Sequence, residues 1–290
     1  MKILILGGTS AIAGDFLKAV SNRTSFEVVA TYCKKKPSLE SKNIRWIKLC
    51  LQSEVDKYLT ELKGTEFDYT FNFILLEKQV ILIDYKNLIS KLFNEISEIS
   101  PKIVNISSNG IYKHSLEPIL ESGELNKDDE YAKHKIISEN ILKNNQMNLR
   151  VAILPISGFG SGSLIRNIYE SKNKSRVLVN QYNSWNGILS THFAQLLITL
   201  IDQNLFVDGS RNIFSLNPEP TTEFIRAALS FTDRTDLKIE IENSGAFNKQ
   251  TLSTMYEDFH NKIWANSIYG EVLTTKTVLD ELAKLRFHLQ

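Results

Sequence analysis

A tyrosine and a lysine four residues apart form a pair that can transfer protons. Tyr131 and Lys135 lie in the segment DDEYAKHKIISENIL, and on a helix this spacing places both side chains on one face, one turn apart. The lysine ammonium would stabilise the tyrosinate and lower the tyrosine pKa from its ordinary value of about 10. Tyr32 and Lys36 have the same spacing, so spacing alone does not identify the working pair.

Serines precede this segment at the end of a predicted strand. KIVNISSNGIY places Ser107 and Ser108 after a short apolar run, and ligands bind at the carboxyl ends of parallel strands. Ser108 is therefore a candidate donor to an oxygen on which negative charge develops. The alternative is a pair of serines that only caps a loop. Asn72, in FDYTFNF, ends another predicted strand and is a further candidate.

A glycine-rich turn follows the first apolar run, KILIL. In LGGTSAIAG the fingerprint positions of a dinucleotide-binding turn hold Gly7, Ser10 and Ala13, which are all small. Backbone N–H groups and the helix dipole at such a turn can meet a phosphate. The alternative is a sharp turn without a ligand. The residues expected to contact a cofactor here are Gly7, Thr9, Ser10, Ala11 and Ile12.

The end of the second predicted strand, FEVVATYCKKKP, indicates the form of the cofactor. A NAD site usually has an acid here for the ribose hydroxyls, whereas this chain has Lys34, Lys35 and Lys36. These lysines suit a 2′-phosphate, so we expect NADPH rather than NADH, with Tyr32, Lys34 and Lys35 near its adenosine end. A solvated basic turn is the alternative. The same position argues against Tyr32 and Lys36 as a proton-transfer pair.

The order of the elements predicts the fold. Short apolar runs alternate with amphipathic segments over residues 1–154, which is typical of an α/β, Rossmann-like, doubly wound parallel sheet. After Pro155 the pattern loosens, beginning with the Gly/Ser segment SGFGSGS. We expect a dinucleotide-binding domain over residues 1–154 and a smaller C-terminal, mainly substrate-binding lobe over residues 155–290.

Composition limits the classes of function. A net charge of +1 over 290 residues gives no electrostatic footprint for nucleic acid. MKILILGG is too short for a signal peptide, and no apolar run approaches the roughly 18 residues of a membrane span, so no membrane association is expected. Cys33 and Cys50 form no disulfide framework or metal pattern, and the five histidines lack ligand spacing. We expect no metal and a reducing, cytoplasmic setting.

Taken in order, the glycine turn, Ser108 and the Tyr131–Lys135 pair resemble the short-chain dehydrogenase/reductase superfamily, in its extended branch that acts on nucleotide-sugars. Within that branch the chain is most similar to dTDP-4-dehydrorhamnose reductase and related sugar-nucleotide 4-keto reductases. The resemblance covers most of the chain, best over residues 1–160. It implies that Ser108, Tyr131 and Lys135 are catalytic, that Lys135 also binds the cofactor, and that Asn72 and Asn87 support them.

The resemblance extends into the second half and also has departures. NSWNGILSTHFAQLL is similar to the segment in which such chains leave the substrate lobe, which implies a return to the first domain near residues 185–215. Cys50 stands near the place where relatives often carry an acid that holds adenine. Leu154 precedes Pro155, where relatives often carry an arginine. These departures concern cofactor details and substrate orientation rather than the catalytic residues.

The residues after Ser108 indicate the reaction. Dehydratases of this kind carry an Asp-Glu pair there, and epimerase/reductases of the GDP-fucose type carry a cysteine, whereas this chain has Asn109 and Gly110. His192 starts a predicted helix and is expected to pack or cap. Of these reactions, a simple ketone reduction of a nucleotide-sugar therefore requires the fewest catalytic groups beyond Ser108, Tyr131 and Lys135. A nucleotide-sugar epimerase and a non-catalytic NADP-binding regulator remain the alternatives.

The predicted substrate lobe offers candidate contacts with the substrate. Charged candidates for a diphosphate are Arg166, Lys174 and Arg176, and aromatic candidates for stacking are Phe159, Tyr182 and Trp185. Solvated charge and buried packing are their respective alternatives. We expect substrate contacts from Ser108, Asn109, Arg166 and Trp185, and a homodimer is a possible assembly.

Overall fold

Seven parallel strands form the central sheet of the protein. The computed structural model describes residues 1–34, 37, 39, 41–50, 60–62, 64–74, 82–142, 144–156, 168–169, 176–180, 183–242 and 251–285. The strands in these residues, inside and outside the central sheet, are β1 (Lys2–Leu6), β2 (Glu27–Tyr32), β3 (Ile44–Lys48), β4 (Tyr69–Asn72), β5 (Ile103–Ile106), β6 (Gln146–Val151), β7 (Ile153–Leu154), β8 (Arg176–Asn180), β9 (Ser184–Trp185), β10 (Ile188–Leu189), β11 (Gly209–Ile213), β12 (Glu219–Pro220) and β13 (Lys238–Glu242). The central order is β11-β6-β5-β4-β1-β2-β3. The order reverses between β1 and β4, which is the ligand-binding switch point of a doubly wound sheet, and the predicted fold class is confirmed.

Helices cover both faces of this sheet. They are α1 (Ala11–Ser21), α2 (Leu82–Ile99), α3 (Glu130–Glu139), α4 (Ser190–Asp202), α5 (Thr221–Phe231), α6 (Glu257–Ala265) and α7 (Thr275–Lys284). Alternate residues of β1 enter different cores, because side chains of a strand alternate between its faces. Ile3 and Ile5 pack with α1 and α4, whereas Leu4 and Leu6 pack with α2.

The second half of the chain adds three two-stranded sheets. They pair β7 with β10, β9 with β12, and β8 with β13. A separate apolar core forms where α5 and α7 pack together. β11 instead pairs with β6 at the edge of the main sheet, so residues 209–213 are part of that sheet. The division into domains at residue 154 stays a prediction.

Several elements end or begin where the local sequence pattern does not. The amphipathic pattern of DEYAKHKIISENILKNN continues to residue 145, but α3 ends at Glu139, because Asn140 caps it and Asn145 takes a left-handed turn (φ 61°) into β6. The apolar run in NIFSLNP, residues 212–218, is only partly in a strand, since β11 ends at Ile213. Thr221 and Thr222 resemble capping residues but lie inside α5, whose N-cap is Pro220 without a side-chain hydrogen bond.

Cys33 and Cys50 form a disulfide, which corrects the expectation that they form no disulfide framework. β2 and β3 are parallel neighbours in which Tyr32 pairs with Lys48. Each cysteine follows one of these strands, so their Cα atoms lie 4.7 Å apart. A separation of 17 residues does not reveal this contact, because it depends on how the two strands pair. Within the described ranges, no helix has the length and apolar character needed to span a membrane.

Candidate active site

Tyr131 and Lys135 are placed by the start of α3. The carboxylate of Asp129 accepts a hydrogen bond of 2.8 Å from the backbone N–H of Ala132, so the helix begins at Glu130. An aspartate at this cap satisfies a backbone donor and complements the positive end of the helix dipole. Tyr131 therefore lies in the first turn, and Lys135 lies one turn later on the same face.

Ser108 meets Tyr131 at the carboxyl end of β5. The Ser108 hydroxyl accepts from the N–H of Gly110 at 3.0 Å and caps a short 3₁₀ helix, Asn109–Ile111. The same side chain lowers the pKa of the Tyr131 hydroxyl through hydrogen bonding, against the larger effect of burial. A Cβ added at Gly110 would lie 3.4 Å from Cε1 of Tyr131, so the tyrosine ring packs against this turn. The structure thus brings together two of the three predicted catalytic residues, with Asn109 beside them.

The Tyr131 hydroxyl has a raised pKa. Burial raises it most, the hydrogen bond with Ser108 lowers it, and the charge of Asp129 raises it. Tyr131 as a whole is 37% exposed, and the open part of its surface limits this effect of burial. The expected lowering by Lys135 is wrong for this arrangement, because the lysine ammonium is engaged elsewhere. The phenol is therefore held in its protonated form at neutral pH.

Lys135 is buried beneath the same strand end. It is 8% exposed, and its ammonium donates a hydrogen bond of 2.7 Å to the carbonyl of Ile106 in β5. Burial lowers its pKa from 10.5 to about 8, although the charge of Glu139 acts in the opposite direction. A charged group with such a pKa changes protonation just above neutral pH, which is unusual for a lysine.

Asn72 belongs to a buried row of amides below the site. Its amide donates to Oδ1 of Asn105 at 2.8 Å, and the Asn105 amide donates to Oδ1 of Asn148 at 3.0 Å. Asn105 also donates to the hydroxyl of Ser138 at 3.3 Å, which in turn donates to the backbone carbonyl of Lys135 at 2.8 Å. The row therefore ties three central strands to the helix that carries the site. Sequence reasoning missed Asn105, Ser138 and Asn148, although an amide inside an apolar strand is a usable signal.

A buried ion pair fixes the other end of α3. Arg150 on β6 donates from Nε to Oε1 of Glu139 at 3.0 Å and from Nη2 to Oε2 at 2.6 Å. The two side chains are 7% and 2% exposed. Nη1 of Arg150 also donates to the hydroxyl of Tyr112 at 2.8 Å. A bidentate arginine with further partners is the geometry in which a buried pair is satisfied, so α3 is anchored to β6.

The glycine turn after β1 fits a dinucleotide phosphate. Gly7 has φ +73°, and an added Cβ would lie 2.9 Å from the backbone nitrogen of Ile74, so only glycine fits there. The N–H groups of Gly7 and Gly8 both donate to Thr31, to its hydroxyl and its carbonyl respectively, at 2.9 Å each. The turn is thereby held tightly against the end of β2.

The first turn of α1 begins directly after these glycines. Ser10 caps the helix by accepting a hydrogen bond of 3.2 Å from the N–H of Ala13. The N–H groups of Ala11 and Ile12 lie in the first turn, where an α-helix supplies no acceptor of its own. Thr9 precedes the cap and is exposed. These donors, with the dipole behind them, suit the pyrophosphate of a nicotinamide dinucleotide.

The ends of β2 and β3 form the expected adenosine side. Tyr32 is half-buried and meets the edge of Trp46, with ring centroids 6.4 Å apart. Lys34 is exposed next to the disulfide of Cys33 and Cys50, whereas Lys35 lies outside the described residues. Lys36, the third lysine of the predicted cluster, likewise lies outside the described residues.

The remaining candidates lie in varied settings. Asn87 is exposed on α2. Trp185 packs on Phe224, with ring centroids 5.0 Å apart, as the packing alternative predicts. Arg176 pairs with Glu240 at 2.7 Å on the surface. Candidates that fall outside the described residues are Phe159, Arg166, Lys174 and Tyr182.

His192 joins two helices of the second half. Its Nε2 lies 2.6 Å from Oε2 of Glu281 on α7, and its ring meets the edge of Tyr269. The residue is 2% exposed, and burial lowers its pKa although Glu281 acts to raise it. These contacts are those of a packing residue between α4 and α7.

A cavity of about 560 Å³ lies away from these residues, along β11 and the start of α6. Its lining includes Arg211, whose guanidinium carbon lies 3.8 Å from the ring centroid of Tyr256. None of Ser108, Tyr131 and Lys135 lines it. Geometry and chemistry favour the β5–α3 site, because the paired hydroxyls and the perturbed lysine occur there.

Comparison with known proteins places the fold. No protein-family model matches the chain, and no curated protein sequence matches it. Solved structures do match. A dTDP-4-dehydrorhamnose reductase from Clostridium acetobutylicum is 17% identical, covers 97% of this chain and 98% of its own, and superposes with a TM-score of 0.65.

Two further structures match over nearly the whole chain. A dTDP-glucose 4,6-dehydratase from Bacillus anthracis, in complex with NAD, is 14% identical, with 98% of this chain and 96% of its own covered and a TM-score of 0.74. A UDP-glucuronic acid 4-epimerase from Bacillus cereus, in complex with UDP-glucuronic acid and NAD, is 12% identical, with 97% of each chain covered and a TM-score of 0.72. The resemblance noted in the sequence is thus confirmed at the level of fold: the chain has the fold of nucleotide-sugar reductases, dehydratases and epimerases.

Proposed function

We propose that the protein is an oxidoreductase that reduces a 4-keto nucleotide-sugar with NADPH, as in deoxysugar or polysaccharide biosynthesis. The observation that carries the proposal is that Ser108 and Tyr131 pack against the same glycine, Gly110, with Lys135 buried one helical turn away. Enzymes of three different reactions share this fold, so the choice among them rests on the site.

Ser108 and Tyr131 would bind the ketone oxygen together. Each supplies a hydroxyl, and the proposal is supported by the position of both side chains against Gly110, where an added Cβ would lie 3.3 Å from Oγ of Ser108 and 3.4 Å from Cε1 of Tyr131. As negative charge develops on that oxygen, Ser108 stabilises it by hydrogen bonding and Tyr131 transfers its proton to it. NADPH supplies the hydride when bound. The raised pKa of Tyr131 keeps the proton available until the oxygen becomes basic enough to take it.

Lys135 would stabilise the tyrosinate left after proton transfer only if cofactor binding turned its ammonium from the carbonyl of Ile106 towards Tyr131. Because this ammonium is desolvated, a negative charge brought next to it would interact with it more strongly than in water. The carbonyl of Ile106 holds the ammonium in place from the strand side. Lys135 also remains the candidate for a contact with the cofactor ribose.

The preference for NADPH rests on the end of β2. No acid follows Tyr32, and Lys34 is exposed where a 2′-phosphate would lie. NAD is bound in both the dehydratase and the epimerase structures described above, so the preference is a property proposed for this chain alone. A cytoplasmic location and a homodimer complete the proposal and remain predictions.

Two other functions are alternatives that product analysis would distinguish from the proposed reduction. An epimerase is favoured by the UDP-sugar epimerase among the similar structures. A non-catalytic NADP-binding regulator would have no need of a proton donor, and the Ser108–Tyr131 contact argues against it. In the described residues around Ser108, the sequence continues with Asn109 and Gly110, which supply no base for the carbon next to the ketone.

Product analysis in deuterated water separates these functions. The protein is incubated with ordinary NADPH and a panel of 4-keto nucleotide-sugars, and the products are examined by NMR. The expected result is one NADPH consumed per sugar, with ordinary hydrogen at C4 and no deuterium at C3 or C5. Deuterium at those carbons above a no-enzyme control would indicate epimerisation. Product without net NADPH oxidation would indicate an epimerase that recycles its cofactor, and no turnover with any sugar would favour the regulator.

A further inference from the structure

The disulfide between Cys33 and Cys50 joins two strand ends that are already neighbours. These are the two cysteines of the chain. The N–H of Leu49 donates to the carbonyl of Tyr32 at 2.8 Å, so the residues just before each cysteine are hydrogen-bonded. Cys33 is exposed and Cys50 is half-buried. An exposed sulfur can be attacked by a thiolate from solution, which is the condition for thiol–disulfide exchange.

This bond lies beside the turn that suits the pyrophosphate. Thr31, two residues before Cys33, accepts hydrogen bonds from the N–H groups of both Gly7 and Gly8. A Cβ added at Gly8 would lie 2.9 Å from the ring of Trp46 on β3, so the turn also rests on that strand. The glycine turn is therefore supported by β2 and β3, the two strands that the disulfide joins.

The carboxyl ends of β2 and β3 are also where the adenosine end of a dinucleotide would lie. In a doubly wound sheet, ligands bind outside these ends, and β2 directly follows the phosphate-binding turn. Tyr32 and Lys34, which flank Cys33, are the residues proposed for that end. A change in the bond between Cys33 and Cys50 therefore changes the position of cofactor-binding residues rather than a remote loop.

We propose that Cys33 and Cys50 are a thiol–disulfide exchange site that sets the affinity for the nicotinamide dinucleotide. The proposal rests on the proposed function through the cofactor alone. In oxidation, the two thiols give two electrons and two protons to a disulfide such as oxidised glutathione, which becomes two thiols. In reduction, a dithiol donates the same two electrons and two protons and is itself oxidised to a disulfide.

The oxidised state binds the cofactor more tightly. The disulfide ties Cys33 to the end of β3 and thereby limits the movement of Lys34, the next residue. After reduction, Cys33 and Lys34 regain conformational freedom, and binding must order them again. We expect the dissociation constant for NADPH to rise by about fivefold, which is the effect of losing a modest degree of preorganisation.

A switch also reconciles the disulfide with the expected reducing compartment. Disulfides in cytosolic proteins are mostly transient and serve catalysis or redox sensing, whereas permanent ones belong to oxidising compartments. The exposure of Cys33 favours the transient kind, because a structural bond between buried sulfurs would not be reached by a reductant. The affinity for the cofactor would then depend on the thiol–disulfide redox potential of the compartment.

The test is calorimetric titration of the intact protein with NADPH and with NADH, before and after treatment with dithiothreitol, with thiols counted in each state. The double variant Cys33→Ser/Cys50→Ser is titrated under both conditions, and its circular dichroism checks that it is folded. We expect the treated wild type to bind NADPH about fivefold more weakly and the double variant to match it in either condition.

Three results would overturn the switch. Equal affinities in the oxidised and reduced wild type would refute it while leaving the proposed reaction intact. Two free thiols after equilibration with oxidised glutathione would show that the pair does not form. Binding of neither dinucleotide in any state would refute the cofactor itself, and the proposed function would fail with the switch. If the double variant does not fold, the reversible change in the wild type alone decides.

Discussion

The two ends of the proposed site are held together in different ways. At the β5–α3 end, buried side chains bond across strands and helix: Asn105 reaches Ser138, and Arg150 reaches Glu139. At the β2–β3 end, backbone groups of the glycine turn bond to Thr31, and one covalent bond closes the strand ends. The first end depends on burial and complete satisfaction of polar groups, whereas the second depends on a bond that chemistry in solution can open.

The largest expected effect comes from breaking the ion pair between Glu139 and Arg150 at the β5–α3 end. Arg150→Met leaves the Glu139 carboxylate buried without its partner, which costs about 3–5 kcal/mol of the free energy of unfolding. Denaturation by urea measures the loss. Arg176→Met is the matched control, since Arg176 and Glu240 form an exposed pair worth at most about 1 kcal/mol. Equal losses in the two variants would contradict the difference between the ends.

A matched second variant sharpens this test. Glu139→Leu combined with Arg150→Met removes both charges, so the double variant is expected to recover part of the stability that Arg150→Met loses. No recovery would mean that the arginine acts mainly through its other partners, the hydroxyl of Tyr112 and the backbone carbonyl of Glu121. The hydrogen bond from Tyr112 to Asn212, 2.9 Å long, would then be the next to remove.

Tyr131→Phe is expected to remove chemistry while sparing the fold. The change deletes one hydroxyl, so turnover falls by a factor on the order of 10² or more while NADPH affinity changes little. Steady-state kinetics and titration measure the two effects. Tyr69→Phe makes the same chemical change at the amino end of β4, where the hydroxyl bonds Asn204, and should keep turnover. A Tyr131→Phe variant with near-normal turnover would exclude Tyr131 as the proton donor.

The pH profile of reduction should report Lys135. Its pKa of about 8 means that the ammonium is present below that pH and lost above it, while the raised pKa of Tyr131 keeps the phenol protonated. We expect kcat/KM to be level below pH 8 and to fall about tenfold per pH unit above it. In Lys135→Arg, which keeps its charge, any remaining activity should lose this fall. An unchanged fall in that variant would assign it to another group.

The smallest expected effect concerns the β2–β3 end. Lys34→Gln should weaken NADPH binding roughly threefold and leave NADH binding unchanged, because an exposed charge contributes little even when well placed. Titration with both dinucleotides measures the selectivity. Lys42→Gln is the control, since Lys42 is exposed near the start of β3, at the amino ends of the parallel strands and away from their carboxyl ends. A preference for NADH in the unmodified protein would contradict the proposal that the residues after β2 bind a 2′-phosphate.

Local patterns predicted the parts that local physics determines. ILIL, residues 3–6, is apolar throughout because this part of β1 is buried on both faces, and the glycine turn follows directly. Ser108 and Tyr131 were found because each stands at a strand end or a helix start. The sequence did not predict the pairings of Glu139 with Arg150 and of Cys33 with Cys50, because each depends on which elements become neighbours in the fold. The pKa of Tyr131 was misjudged for the same reason, because burial is a property of the assembled fold.

The row of buried amides has a consequence for the way the sheet assembles. Asn72 pairs with Asn105 and Asn105 with Asn148 at one level of three parallel strands. A shift of the register by one residue would turn an amide towards the opposite core, where Phe71 and Val104 pack. The donors and acceptors of that amide would then be left unpaired in an apolar environment. The amides thus act as a register lock: strands that pair wrongly cannot satisfy them, and only the correct alignment carries Ser108 to the helix that holds Tyr131.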